Sequence, residues 1–170
     1  NNDKYTLKAL NHLKLIFTHV ESYLGDWGDP FPAGALYWAG EILISYKSRW
    51  IVPKKLLDKA KELAINFHPA SPDYPGIGCI NFALYENAKE YGSTCHHMNS
   101  KVDSGNIIKV VRFPIYPSDN VETLLTRTYD HQLTLFYEIT NYLYSGKNLP
   151  KSNEKWSREP FTRKDFDELN

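Results

Sequence analysis

The chain has 170 residues, and its 20 basic and 20 acidic side chains give a formal net charge of zero. Hydrophobic residues make up 42% of it and charged residues 24%, which is typical of a globular domain and not of a disordered chain. There is no basic excess to neutralise phosphates, and no apolar run approaches the roughly 20 residues that span a bilayer. The composition therefore predicts one soluble domain over residues 1–170 that binds neither nucleic acid nor membrane.

No signal peptide precedes the first polar residues, which predicts a cytoplasmic protein. The chain does not begin with Met, so a processed or secreted form stays open. The two cysteines, Cys79 and Cys95, do not make a disulfide framework, and whether they pair is also left open.

Apolar residues at spacings of three and four predict a first helix. They are Leu10, Leu13, Phe17, Val20 and Leu24. Thr6 is the predicted N-cap and Gly25 the predicted stop. The same spacing predicts a second helix over 35–50, and Pro53 fits the first turn of a third helix that includes Ala60 and Leu63.

The stretch from Cys79 to Tyr91 fits either a helix or a strand, and Gly92 as a stop favours the helix. The β-branched run over 107–116 predicts a strand, with residues 94–102 as a possible antiparallel mate.

A long helix is predicted from Ser118 or Asp119 to Tyr144. A capping box between Thr162 and Asp165 predicts a short final helix. Together these elements predict a mainly α fold, a compact bundle of five or six helices with at most a small β element. The alternative is an α+β fold.

Cysteine and histidine side chains, the usual ligands of zinc, are concentrated in one part of the chain. The set comprises His68, Cys79, Cys95, His96 and His97. Its spacing matches no standard zinc motif, so the sequence predicts no metal, no cofactor and no catalytic residues. A zinc- or thiol-dependent hydrolytic enzyme that uses Cys95, His96 and His97 is the alternative.

Two long loops combine aromatic rings with acidic groups and a backbone stiffened by proline, a combination suited to protein recognition. Their candidate partner-binding residues are Asp26, Trp27, Asp29, Phe31 and Tyr74. With no catalytic motif, the chain is predicted to be a non-enzymatic module that binds and neutralises another protein, in the manner of an immunity protein or antitoxin.

Overall fold

The computed structural model describes residues 3–169. Helix α1 spans Lys4–Ile16 and is capped by Asp3, whose Oδ1 accepts the N–H groups of Tyr5 and Thr6 at 2.8 and 3.0 Å. The predicted cap at Thr6 is therefore wrong, because a carboxylate three residues earlier satisfies the free N–H groups of the first turn. The backbone becomes extended at Phe17, so the predicted continuation to Leu24 is also wrong.

A four-stranded mixed sheet forms the centre of the fold. Its strands are β1 (Gly40–Tyr46), β2 (Ala60–His68), β3 (Glu90–His97) and β4 (Ile107–Pro114), and their order in the sheet is the order in the chain. Strands β1 and β2 are parallel, whereas β2–β3 and β3–β4 are antiparallel. The prediction of a mainly α bundle is wrong, and the architecture is α/β.

Strand β1 lies where a second helix was predicted, and β2 includes Ala60 and Leu63 of the predicted third helix. A 3-10 turn over Ala33–Tyr37 and helix α2 (Lys54–Leu57) are the only helical parts of residues 33–68. The apolar spacing misleads here because Ile42, Leu43 and Ile44 place hydrophobic residues on both faces of β1, so the alternation that identifies a strand is lost.

Other predicted elements are confirmed in full or in part. Strand β4 lies within 107–116 and pairs antiparallel with β3. The helix favoured for Cys79 to Tyr91 is correct only over α3 (Cys79–Tyr85), because β3 begins at Glu90 and Gly92 lies within that strand. Helix α4 spans Val121–Tyr144 and ends as predicted, but its N-cap is Asn120, so the predicted start at Ser118 or Asp119 is wrong. Helix α5 (Arg163–Leu169) follows the predicted Thr162–Asp165 capping box.

Helix α4 packs across one face of the sheet. Its Phe136 and Ile139 are fully buried against Ile65, Phe67 and Cys95, which project from β2 and β3. Fully burying such a side chain contributes about 1.5–3 kcal/mol, so this layer is a major source of stability. The opposite face of the sheet is covered by loops. Among the helices that the structure describes, none has the length and apolar character needed to cross a membrane.

Candidate active site

Three polar side chains lie on the loop-covered face at the ends of β2 and β3. Asn66 and His68 share this face because they are two residues apart on β2. His96 lies directly opposite Asn66 in the β2–β3 register, and its Nε2 is 3.1 Å from the Asn66 side-chain amide. Strand pairing thus places two imidazoles and an amide side by side, and both histidines are almost fully buried.

Asp103 lies between these side chains, in the loop that joins β3 to β4. Its Oδ2 is 3.1 Å from Nδ1 of His68, and its Oδ1 is 3.3 Å from Nε2 of His96. The Gly76 N–H donates to Oδ2 at 2.8 Å. Asp103 has a φ of +41°, a left-handed conformation that is uncommon outside glycine and costs backbone energy. Such strain is typical of functional positions, where the surrounding structure holds the side chain in place.

The Asp103 carboxylate stays ionised although it is buried. Burial by itself would raise its pKa, but the charge of His68 and the hydrogen bonds from His96 and Gly76 outweigh burial and lower the pKa to about 2. On its other side, His68 donates Nε2–H to the carbonyl oxygen of Tyr74 at 2.8 Å, since a carbonyl can only accept. His68 is therefore fixed between the Asp103 carboxylate and the Tyr74 carbonyl oxygen.

His96 is oriented by its own strand. Its Nδ1–H donates to the carbonyl oxygen of His97 at 2.8 Å, which leaves Nε2 facing both Asn66 and Asp103. A neutral His96 accepts the Asn66 N–H at Nε2, and a protonated His96 donates from Nε2 to Asp103.

The four residues line a cavity of about 450 Å³, a volume in the usual range for small-molecule sites. Trp27, Trp50 and Tyr129 contribute aromatic rings to its wall. Lys47 also lines it, with its ammonium 3.3 Å from the centre of the Tyr129 ring and 2.7 Å from Asp3. The cavity thus combines flat apolar surfaces with one polar wall.

The structure brings together only part of the predicted metal-ligand set. His68, His96 and Cys79 lie near one another, with the Cys79 sulfur 3.9 Å from Nε2 of His68. Cys95 projects into the core under α4, and His97 is exposed. Within residues 3–169, no three His, Cys, Asp or Glu side chains form a cluster that could hold a metal ion.

Neither cysteine is suited to thiolate chemistry. Burial raises the pKa of Cys79 to about 12 and also raises the pKa of Cys95. The two thiols are free, and they project from different elements of the fold. The interpretation of Cys95 beside His96 as a catalytic pair is wrong because neighbours on a strand point to opposite faces of the sheet.

The predicted partner-binding residues do not form one surface. Tyr74 is buried, and its hydroxyl donates to Glu86 at 3.0 Å. Phe31 packs edge-on against Trp50, whose Nε1–H donates to the Asp29 carbonyl oxygen at 2.9 Å. Asp26 is exposed, and its backbone N–H donates to the Asp29 side chain. Trp27 is largely exposed beneath the Arg49 guanidinium and lines the cavity.

Sequence reasoning did not identify Asn66 or Asp103. The signal for Asn66 is the Asn-Phe-His pattern, which places two polar side chains on one face only if residues 60–68 form a strand. Asp103 follows a polar, turn-rich stretch and carries no local signal that distinguishes it from an ordinary turn aspartate.

A sequence profile described as "Formyl transferase" matches residues 40–140, which is more than half of the chain and includes all four residues of the site. The chain therefore belongs to the formyl transferase family.

Among curated proteins, the phosphoribosylglycinamide formyltransferase of Haemophilus influenzae is 27% identical over 104 residues, which cover 61% of this chain and 49% of that enzyme. The chain spans about half the length of the curated relatives it matches.

Two solved structures share the fold over nearly the whole chain. The Helicobacter canadensis N-formyltransferase in complex with folinic acid and dTDP-3-aminofucose has a TM-score of 0.73 at 21% identity, and the match covers 96% of this chain and 69% of that chain. The Anoxybacillus kamchatkensis formyltransferase in complex with UDP-4,6-dideoxy-4-formamido-L-AltNAc and tetrahydrofolate has a TM-score of 0.73 at 22% identity. This match covers 99% of this chain and 85% of that chain.

These findings correct the function predicted from sequence. The chain is not an inhibitor or immunity protein, and the expectation of a protein partner is wrong, since the relatives' names and complexes describe small-molecule ligands. The hypothesis failed because its main support was the lack of a catalytic motif. The four site residues come from two strands and a loop, so they form no motif that can be read along the chain.

Proposed function

We propose that the site transfers a formyl group from a formylated reduced folate to the primary amine of a nucleotide-linked amino sugar. The observation that carries this proposal is the arrangement of Asn66, His68 and His96 around the ionised Asp103 on one wall of the cavity. It combines an amide hydrogen-bond donor with two imidazoles beside a carboxylate, which are the groups that acyl transfer to an amine requires.

In the proposed reaction, the acceptor amine forms a bond to the formyl carbon, and the bond from that carbon to the donor nitrogen then breaks. One proton moves from the acceptor amine to the departing donor nitrogen. Asn66 donates its side-chain N–H to the formyl oxygen as negative charge develops there, and the His68 imidazole, held by Asp103, stabilises the same charge. Nε2 of His96, beside the Asp103 carboxylate, receives the proton and returns it to the donor nitrogen.

The cavity supports a folate as the formyl donor. Trp27, Trp50 and Tyr129 offer faces for a flat heterocycle, and the volume of about 450 Å³ accommodates one. The H. canadensis structure contains folinic acid and the A. kamchatkensis structure contains tetrahydrofolate, which supports the same donor class here.

The extent of the fold match supports the amino-sugar acceptor. The structures with dTDP-3-aminofucose and the UDP-linked formamido sugar match this chain over 96% and 99% of its length, whereas the phosphoribosylglycinamide formyltransferase structures from Streptococcus pneumoniae and Anaplasma phagocytophilum match 56% and 68% of it. The amine of phosphoribosylglycinamide is a second candidate acceptor, because the curated H. influenzae relative carries its name.

The test is formyl transfer by the purified protein from a formylated tetrahydrofolate, with dTDP- and UDP-linked amino sugars and phosphoribosylglycinamide offered separately. Mass spectrometry detects the formylated amine, and absorbance follows release of the folate. We expect transfer to an amino sugar, lowered by at least about 100-fold in His68→Gln. The matched control is His19→Gln, at an exposed histidine outside the site.

Transfer to phosphoribosylglycinamide alone would replace the proposed acceptor class and leave the formyl chemistry intact. Equal activity of His68→Gln and the unmodified protein would contradict the assigned site.

A further inference from the structure

The chain after α4 returns across the face of the sheet that carries the site. Residues 147–162, here called the C-terminal strap, are fixed by backbone hydrogen bonds at three points. Ser152 N–H donates to the Ile107 carbonyl oxygen on β4 at 3.3 Å. Ser157 N–H and Phe161 N–H donate to the carbonyl oxygens of Pro72 and Pro75 at 3.1 and 2.9 Å, in the loop that precedes α3.

Between these anchors, Trp156 contacts both histidines of the site. Its ring lies 5.0 Å from the His96 ring at an interplanar angle of 90°, and 5.7 Å from the His68 ring at 71°. Near-perpendicular packing sets the positive edge of one ring against the electron-rich face of another, which favours these orientations. The indole Nε1–H donates to the Gly105 carbonyl oxygen at 2.8 Å. Gly105 belongs to the same loop as Asp103, so one side chain joins the strap, both imidazoles and that loop.

The two histidines beneath Trp156 are shielded from solvent although Trp156 itself is only half-buried. His68 is 3% exposed and His96 is 2% exposed, while Ser157 and Arg158, which follow Trp156 on the strap, are exposed. Water that reached the Asp103 carboxylate would weaken its ion pair with His68, because the attraction between charges falls steeply as the local dielectric rises. An aromatic ring over the histidines keeps this interaction strong without adding a competing hydrogen bond.

We propose that Trp156 is a positioning residue for the His68–Asp103–His96 cluster, and that the strap acts on the site through it. The indole holds the two imidazole planes and shields them from water, while the substrate contacts are made by the residues beneath it. Its effect on the reaction rate rests on the proposed function, but its effect on the accessibility of the histidines does not.

The test compares Trp156→Ala and Trp156→Phe with the control Trp38→Ala, at a half-buried tryptophan that lines the separate cavity between α1 and β1. Diethyl pyrocarbonate modifies accessible imidazoles, and peptide mass spectrometry gives the modification rates of His68 and His96 one by one. We expect Trp156→Ala to expose both histidines to modification severalfold faster than in the unmodified protein. Trp156→Phe should stay close to the unmodified protein because it keeps a ring in place, and Trp38→Ala should leave both rates unchanged.

The kinetic readout is formyl transfer. Trp156→Ala should lower kcat by roughly tenfold, as for other residues that orient a reacting group, with little change in KM for the amine. Thermal melting of each variant separates this effect from loss of the fold.

Unchanged modification of His68 and His96 in a folded Trp156→Ala would overturn the proposal. A Trp156→Phe variant as accessible as Trp156→Ala would also overturn it, since the ring would then not be the covering element. If the unmodified protein transfers no formyl group, the proposed function fails, and the modification rates still decide the role of Trp156.

Discussion

The Nδ1 atom of His68 lies 3.1 Å from Oδ2 of Asp103, although helix α3 and strand β3 separate the two residues along the chain. The ion pair is buried, and a third group, the Gly76 N–H, donates to the same carboxylate oxygen. Breaking a buried pair by removing one partner costs more than the pair contributes, because it leaves an uncompensated charge. The site and the stability of the fold are therefore coupled through Asp103.

Acid should weaken the protein through this carboxylate. Folding lowers the pKa of Asp103 from its ordinary value of 3.8 to about 2. The ionised form therefore stabilises the fold above the unfolded value, and this contribution is lost as the pH falls through about 2. We expect Asp103→Asn to be less stable than the unmodified protein by about 3 kcal/mol near neutral pH. Melting curves at several pH values should show that the difference in stability between the unmodified protein and Asp103→Asn decreases as the pH falls from 3.8 to about 2. If this difference stays constant through that range, the ionised Asp103 carboxylate does not stabilise the fold. The control is Asp58→Asn, at an exposed aspartate.

Asn66→Ala removes the side-chain N–H assigned to the formyl oxygen. Loss of one such donor typically lowers kcat by about 100- to 1,000-fold, because the developing charge loses a preorganised hydrogen bond. Steady-state kinetics with the formyl donor should show this fall with little change in KM for the amine. Asn141→Ala, at an exposed position on α4, should behave like the unmodified protein. A rise in KM with kcat preserved would instead assign Asn66 to substrate binding.

Gly76→Ala should loosen the C-terminal strap. Gly76 has a φ of +95°, and an added Cβ would lie 2.2 Å from the Phe161 carbonyl oxygen. Gly28 is the matched control, since its φ is +86° with nothing within 4 Å of an added Cβ. Gly28→Ala should cost about 1–2 kcal/mol from the left-handed backbone alone. Gly76→Ala should lower the free energy of unfolding by more than Gly28→Ala does. Limited proteolysis of Gly76→Ala should cut within 147–162 faster than in the unmodified protein. If urea unfolding shows the same loss of stability for both variants, the close approach of the strap to Gly76 does not contribute to stability.

Phe136→Ala tests the packing of α4 on the sheet. The Phe136 ring is 1% exposed and packs against Tyr46 and Phe67 at centroid distances of 4.8 and 5.0 Å. Truncation should cost about 3–5 kcal/mol through lost burial and the cavity left behind. Phe17→Ala, at a half-buried ring beyond the end of α1, should cost clearly less. If chemical denaturation shows a similar loss of stability for Phe136→Ala and Phe17→Ala, α4 is not the main element that packs on this face of the sheet.

The elements predicted correctly are those whose signals are local. Helix α4 shows its apolar stripe over 24 residues, and α5 carries a capping box between Thr162 and Asp165. Strand β4 combines β-branched residues with short length. In each case, neighbours in the chain supply the caps or the periodicity, so the sequence pattern suffices.

The elements predicted incorrectly depend on distant partners. Strand β2 begins Ala-Lys-Glu-Leu-Ala, a run with high helix propensity, yet it lies between β1 and β3 and is buried at its C-terminal end. Hydrogen bonds to two neighbouring strands and burial of Ile65 and Phe67 outweigh that propensity. Once β2 was read as a helix, Asn66 and His68 could not be placed on one face.

The sequence by itself determined the last two helices, strand β4 and the presence of His68 and His96 among the reactive side chains. Only the tertiary structure decided that these histidines meet at Asp103, that Cys95 points away from them and that Trp156 covers them. The physical reason is that the site consists of contacts between strands and loops far apart in the chain. The register and the facing of a strand are set by its neighbours in the sheet, and its own sequence does not fix them.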